Sequence, residues 1–139
     1  MSTNSTTFTM ETAGFGDMHN VTDRASRFVA SSGVQNGILT VFVPGSTAGV
    51  TTIEYEDGAL DDLKHALERM APESMHYAHD ARWGDGNGFS HVRAAILGPS
   101  LTVPIVRSRL GLGTWQQIIL VDFDNRPRER SVILQVIGE

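Results

Sequence analysis

The chain has 139 residues, no cysteine and a formal charge of −5 at pH 7, which rules out disulfides and thiolate metal centres and argues against non-specific binding to nucleic-acid phosphates. At 40% hydrophobic and 19% charged residues it reads as one folded domain with a real core. No apolar run reaches the roughly 20 residues needed to span a bilayer, and MSTNSTTF lacks the basic and apolar regions of a signal peptide, so the expected location is the cytoplasm.

Residues 1–7 are small and polar and read as a frayed tail, with a single domain over 8–139. A short strand is expected over 8–13, closed by the Gly14–Gly16 turn. Thr22 has the chemistry of an N-cap. Ala25, Phe28 and Val29 give the following helix, 22–32, an apolar stripe, and Gly33 suits its left-handed end. GILTVFVP, residues 37–44, is apolar at nearly every position and reads as a central strand covered on both faces. After Gly45-Ser46-Thr47-Ala48-Gly49 a strand resumes over 50–56. A helix over 59–71 follows from Leu60, Leu63, Leu67 and Met70 at helical spacing, with Pro72 closing it. Strands are expected at 91–97, 101–106, 115–123 and 130–137, with Asn125-Arg126-Pro127 as the hairpin between the last two. This order gives an α+β fold, a mostly antiparallel sheet with two main helices packed on it.

Chemistry concentrates between Tyr77 and Ser100. His79, Asp80, Asp85, Asn87 and His91 are polar groups in a stretch poor in core residues. If 85–91 were extended, Asp85, Asn87, Phe89 and His91 would share one face. Such a face could hold a divalent metal through neutral imidazoles and a carboxylate, or use the imidazoles as proton donors with Asp80 orienting one. The plainer reading is a capped turn and an edge histidine. Gly45–Gly49 could likewise be an anion-binding nest, with Ser46 and Thr47 adding hydroxyls, or only a strand-to-strand turn. Arg109 offers a bidentate phosphate donor. Arg107, Arg126, Arg128 and Arg130 read as solvated charges or subunit contacts, and His19, His65 and His76 as surface histidines.

Three runs, NGILTVFVPGSTAGVTTIEYEDGALDDL, YAHDARWGDGNGFSHVRAAILGPSLTVP and RLGLGTWQQIILVDFDNRPRER, closely resemble the YjbQ family, whose members are described as secondary thiamine-phosphate synthases. The resemblance implies a compact α+β domain, assembly as a homotrimer, and a divalent metal, zinc or magnesium, near the histidines. The implied reaction joins a hydroxymethylpyrimidine diphosphate to a thiazole phosphate and releases pyrophosphate. Carried onto this chain, it implies His79, Asp80, His91 and Glu54 as the catalytic set and His79 and His91 as metal ligands. Phosphate would rest on Gly45, Ser46, Thr47, Ser100 and Arg109, and Asp85, Asn87, Phe89 and Trp115 would line the pocket. The partners implied are a phosphorylated small molecule and further copies of the chain, with no nucleic acid and no membrane.

Two residues depart from the family pattern. Where members usually read N-x-H-x-H, this chain has Asn87-Gly88-Phe89-Ser90-His91, so a histidine is replaced by Phe89 and metal binding is expected to be weakened. Gly45 stands where many members have histidine. The competing expectation is therefore a non-catalytic metal- or small-molecule-binding homotrimer with a degenerate site. Another hydrolytic or transfer reaction on a phosphorylated metabolite is a third.

Overall fold

A computed structural model describes residues 1–139. The elements in order are β1 (Ser2–Thr12), β2 (Asp17–Asn20), α1 (Thr22–Ser32), β3 (Asn36–Phe42), β4 (Ala48–Glu54), α2 (Asp57–Met70), α3 (Ala78–Trp83), α4 (Gly88–Leu97), β5 (Ser100–Val106), β6 (Arg109–Leu110), β7 (Gln116–Asp122) and β8 (Arg128–Gly138). Five strands form one sheet in the order β1-β8-β3-β5-β6 and three form another in the order β2-β7-β4. Every pairing is antiparallel. The α+β class therefore holds, with the sheet split in two.

The two sheets face each other. Leu39, Val41, Val103, Ile105, Val132, Leu134 and Val136 of the large sheet meet Val50, Ile118 and Leu120 of the small one. Val21, Ala25 and Val29 bring α1 into the same core, and Gly33 ends that helix at φ +75° as its sequence suggested. Thr22 is the first helical residue rather than the cap, and its N–H donates to Asn20 Oδ1. On the other face of the small sheet, Ile119, Val121 and Phe123 are covered by Leu67 of α2 and Ala94 of α4, with Leu60 and Leu63 alongside. Met70 falls outside this contact and is exposed.

Several expectations are corrected. Residues 2–7 are not a frayed tail. Each pairs with β8, from Ser2 opposite Gly138 to Thr7 opposite Ile133, so the ladder ties them down. The strand covered on both faces is β7, where Ile118 to Val121 have no exposed surface; β3 lies mid-sheet but leaves Ile38 and Phe42 open on one side. β7 and β8 do not form a hairpin, since they belong to different sheets and residues 125–127 cross between them.

The largest correction falls on 91–97, which is helix rather than strand. Phe89, Ser90, Arg93, Ala94 and Leu97 recur at helical spacing and face inward. The period is hard to see because one inward position is Arg93. Its guanidinium donates to the Ala71 carbonyl, pairs with Glu68 and lies 5.1 Å over the Phe89 ring. None of the helices is long and apolar enough to cross a membrane.

Candidate functional site

The short helix α3 and the start of α4 hold the 79–91 segment in place. Gly84 ends α3 in the left-handed region at φ +71°, where glycine costs least. Asp80 Oδ1 then accepts from the Gly88 N–H at 2.8 Å, so this carboxylate ties α3 to the first turn of α4. A Cβ at Gly88 would lie 2.5 Å from Tyr77 Cβ, so the two helices approach this closely only with glycine there.

This places His79 against His91, with ring centroids 4.3 Å apart and planes tilted by 42°. His79 Nδ1 lies 3.3 Å from Asp85 Oδ1 and 3.6 Å from Asp80 Oδ1. Asp85, not Asp80, is thus the nearer carboxylate. Ligand atoms of His79, Asp80 and Asp85 all fall within 4.8 Å of one another. His79 Nδ1 and Asn87 Oδ1 are buried without a hydrogen-bond partner. A divalent cation fits this donor set, one imidazole with two carboxylates, and the imidazole nitrogen suits zinc better than magnesium, which prefers oxygen ligands alone. The carboxylates, rather than His91, complete the group around His79.

Opposite lies the 45–47 loop. A cleft of about 540 Å³ is lined by Gly45, Ser46 and Thr47 on one side and His79, Trp83, Asp85, Asn87 and His91 on the other, with Arg128 and Arg130 also in its wall. Beneath it lies a buried charge network. Asp122 takes Arg130 Nε at 2.6 Å and Nη2 at 2.9 Å, together with the Thr12 hydroxyl at 2.5 Å. Asp124 takes Thr47 Oγ1, Asn87 Nδ2, Arg128 Nε and the Asn125 N–H. Both carboxylates have no exposed surface.

Burial alone would raise both acids. For Asp124, hydrogen bonds from Asn87, the Asn125 amide, Arg128 and Thr47 outweigh it and hold the carboxyl at about 2. For Asp122, those from Arg130, Thr12 and the Asp124 amide do the same and lower it.

Not every residue expected at the site is there. Phe89 is buried against Arg93, away from the cleft, because residues 87 and 89 of a helix do not share a face. Within this chain Ser100 lines a separate hollow with Val50, Leu97 and Gln116. Arg109 sits on the edge strand beside Thr22 and Ser26, and Glu54 shares a third hollow with Trp115 and Tyr55. His65 and His76 are exposed as expected, but His19 bonds Asp17 at 2.7 Å. Asp122, Asp124, Arg128 and Arg130 were missed as site residues. The one local signal was the spacing of Arg128 and Arg130, two apart in β8 and so on one face.

The chain matches the model of the UPF0047 protein YjbQ-like family over residues 6–139. The chain belongs to this family. A UPF0047 protein of Methanothermobacter thermautotrophicus is 38% identical over 123 residues, covering 88% of this chain and 84% of that protein. A second, from Archaeoglobus fulgidus, is 35% identical and covers 93% of this chain and 98% of its own. Among solved structures, a YbjQ-like protein of unknown function from Sulfolobus solfataricus P2 superposes with a TM-score of 0.89 at 28% identity, covering 99% of this chain and all of that one. A hypothetical protein from Aeropyrum pernix K1 gives 0.88 at 34% identity over the whole of both chains. The fold is thus shared with these two solved structures.

Proposed function

We propose that this YjbQ-like chain is a thiamine-phosphate-synthase-like transferase. It would join a pyrimidine diphosphate to a thiazole phosphate in the cleft between the 45–47 loop and α3–α4. One observation carries the reading: two imidazoles, a carboxylate, two arginines and a small-residue loop converge on a single polar cleft. Such a cleft suits an anionic, hydrogen-bonding ligand better than an apolar one. Ser46 faces the phosphate groups, Thr47 fixes the loop through Asp124 and Arg130, and His91 holds or moves a proton at the leaving oxygen. Asp85, 3.3 Å from His79 Nδ1, orients that imidazole. His79, Asp80 and Asp85 would hold a divalent cation, which when bound supplies charge stabilisation for the departing pyrophosphate. Ser100, Arg109, Glu54 and Trp115 lie outside the cleft of one chain, and this reading assigns them no role there.

The functional unit in this reading is a homotrimer. The outer face of the large sheet exposes Ile38, Phe42, Val106 and Ile137 with no helix over them, a surface suited to further copies of the chain.

Coupled turnover of the two phosphorylated precursors tests the activity, with His91→Ala as control. Product formation that the substitution abolishes supports the transferase. Product no higher than the control, from a protein that still binds metal and phosphate, would instead support a non-catalytic binding homotrimer.

A further inference from the structure

The cleft needs a cation for its anion, and the arginine expected to provide it, Arg109, is elsewhere. Arg130 has the required properties. Its side chain is only 9% exposed, yet it lines the cleft. Nε and Nη2 are committed to Asp122 and Thr47, while Nη1 makes no hydrogen bond within the chain. Residue 45 explains why that nitrogen is reachable. A Cβ at Gly45 would sit 3.0 Å from Nη1, and the backbone there has φ +144°, which side-chain-bearing residues rarely adopt.

We infer that Arg130 Nη1, opened by the missing side chain of Gly45, forms with Ser46 of the same cleft an oxyanion subsite for the terminal phosphoryl group of a phosphorylated ligand. This deepens the proposed function and rests on its reading of the cleft as a phosphate site. The bidentate pairing with Asp122 fixes the guanidinium before any ligand arrives, so little rotamer entropy is lost on binding. Arg128, held by Asp124 on the same wall, faces the same space. The two arginines and two aspartates sum to zero charge, so long-range attraction is weak and recognition depends on short contacts to Nη1. Selectivity for tetrahedral oxyanions over chloride follows, because only an oxyanion can engage Nη1 and a hydroxyl together.

The test uses the full chain and inorganic phosphate as probe, with arginine side chains labelled with nitrogen-15. Phosphate should shift the Arg130 Nη signals and leave those of Arg126, an exposed arginine outside the cleft, unmoved. Gly45→Ala should weaken phosphate binding by roughly tenfold or more, as loss of a charge-assisted hydrogen bond does. Arg126→Gln should leave it unchanged. Equal shifts at Arg126 and Arg130, an unchanged affinity in folded Gly45→Ala, or no saturable phosphate binding would each overturn the subsite. The labelled wild-type measurement decides the matter even if Gly45→Ala fails to fold. Phosphate binding at Arg130 without synthase turnover would retain the subsite and remove only the reaction. Turnover with Arg130 signals that ignore phosphate would do the reverse.

Discussion

Asp124 joins both walls of the cleft, since one carboxylate holds Thr47 and Arg128 on one side and Asn87 at the cap of α4 on the other. Its held-down acidity therefore bears on stability. The folded group titrates at about 2 against 3.8 for an ordinary aspartate. A depressed acid stabilises the fold above its ordinary range and loses that contribution as pH falls through the folded value. Unfolding free energy should thus drop between about pH 4 and pH 2, with Asp124 contributing on the order of 2 kcal/mol. Asp122, lowered in the same direction, adds to the loss. Urea unfolding across that window measures the slope. Asp124→Asn should flatten it while costing about 3 kcal/mol at neutral pH, because Arg128 is left beside a group without charge. An unaltered slope in the variant would remove Asp124 as the hub.

The element that decides the site is α4, and its helical period changes the meaning of residue 89. As a strand, 85–91 would aim Phe89 into the cleft as a lost ligand. As a helix, it sends Phe89 inward against Arg93. Phe89→His should then gain no metal and should lower stability by roughly 2–3 kcal/mol, the loss of one buried aromatic plus the burial of a polar ring. Zinc stoichiometry and denaturant midpoints of the two proteins read both effects. A variant that gained an ion at unchanged stability would place residue 89 in the cleft after all. The same helix marks how far the sequence can be read. The stripes of α1 and α2 are apolar, so periodicity revealed them, and β3, β5, β7 and β8 stood out as runs of β-formers. In α4 a buried arginine interrupts the apolar period, and the glycine-rich approach resembles a loop. The cleft histidines and the 45–47 loop were legible because polar residues cluster locally there. Arg128 and Arg130 share a face of β8, but that this face is buried depends on Asp122 and Asp124 at the crossing between sheets, which their spacing does not show.

For the whole molecule, the open question is the outer face of the five-stranded sheet. Antiparallel register aligns Ile38 with Ile137 and Pro104, and Phe42 with Ile133 and Ser100, so their side chains share one side. Thr40, Gln135 and Thr102 fill the row between, and none of these residues carries a charge. Solvent-facing sheets ordinarily carry charges to discourage association, and this one carries them only at its two ends, at Glu11 and Glu129 on β1–β8 and at Arg109 opposite Val106 on β6. A mixed face of β-branched, aromatic and small polar side chains fits a partner surface, and burying about 800 Å² per subunit gives a stable contact. Sedimentation at micromolar concentration should therefore report about three times the 15.1 kDa of one chain. Phe42 stands exposed on this face at the end of β3 and does not line the cleft, so Phe42→Glu should leave the fold intact. A charge placed where another copy must dock costs several kcal/mol of association, which at micromolar protein shifts the population to 15.1 kDa species. A wild-type chain that sediments as a monomer, or a Phe42→Glu variant that stays assembled, would show that this face meets water instead.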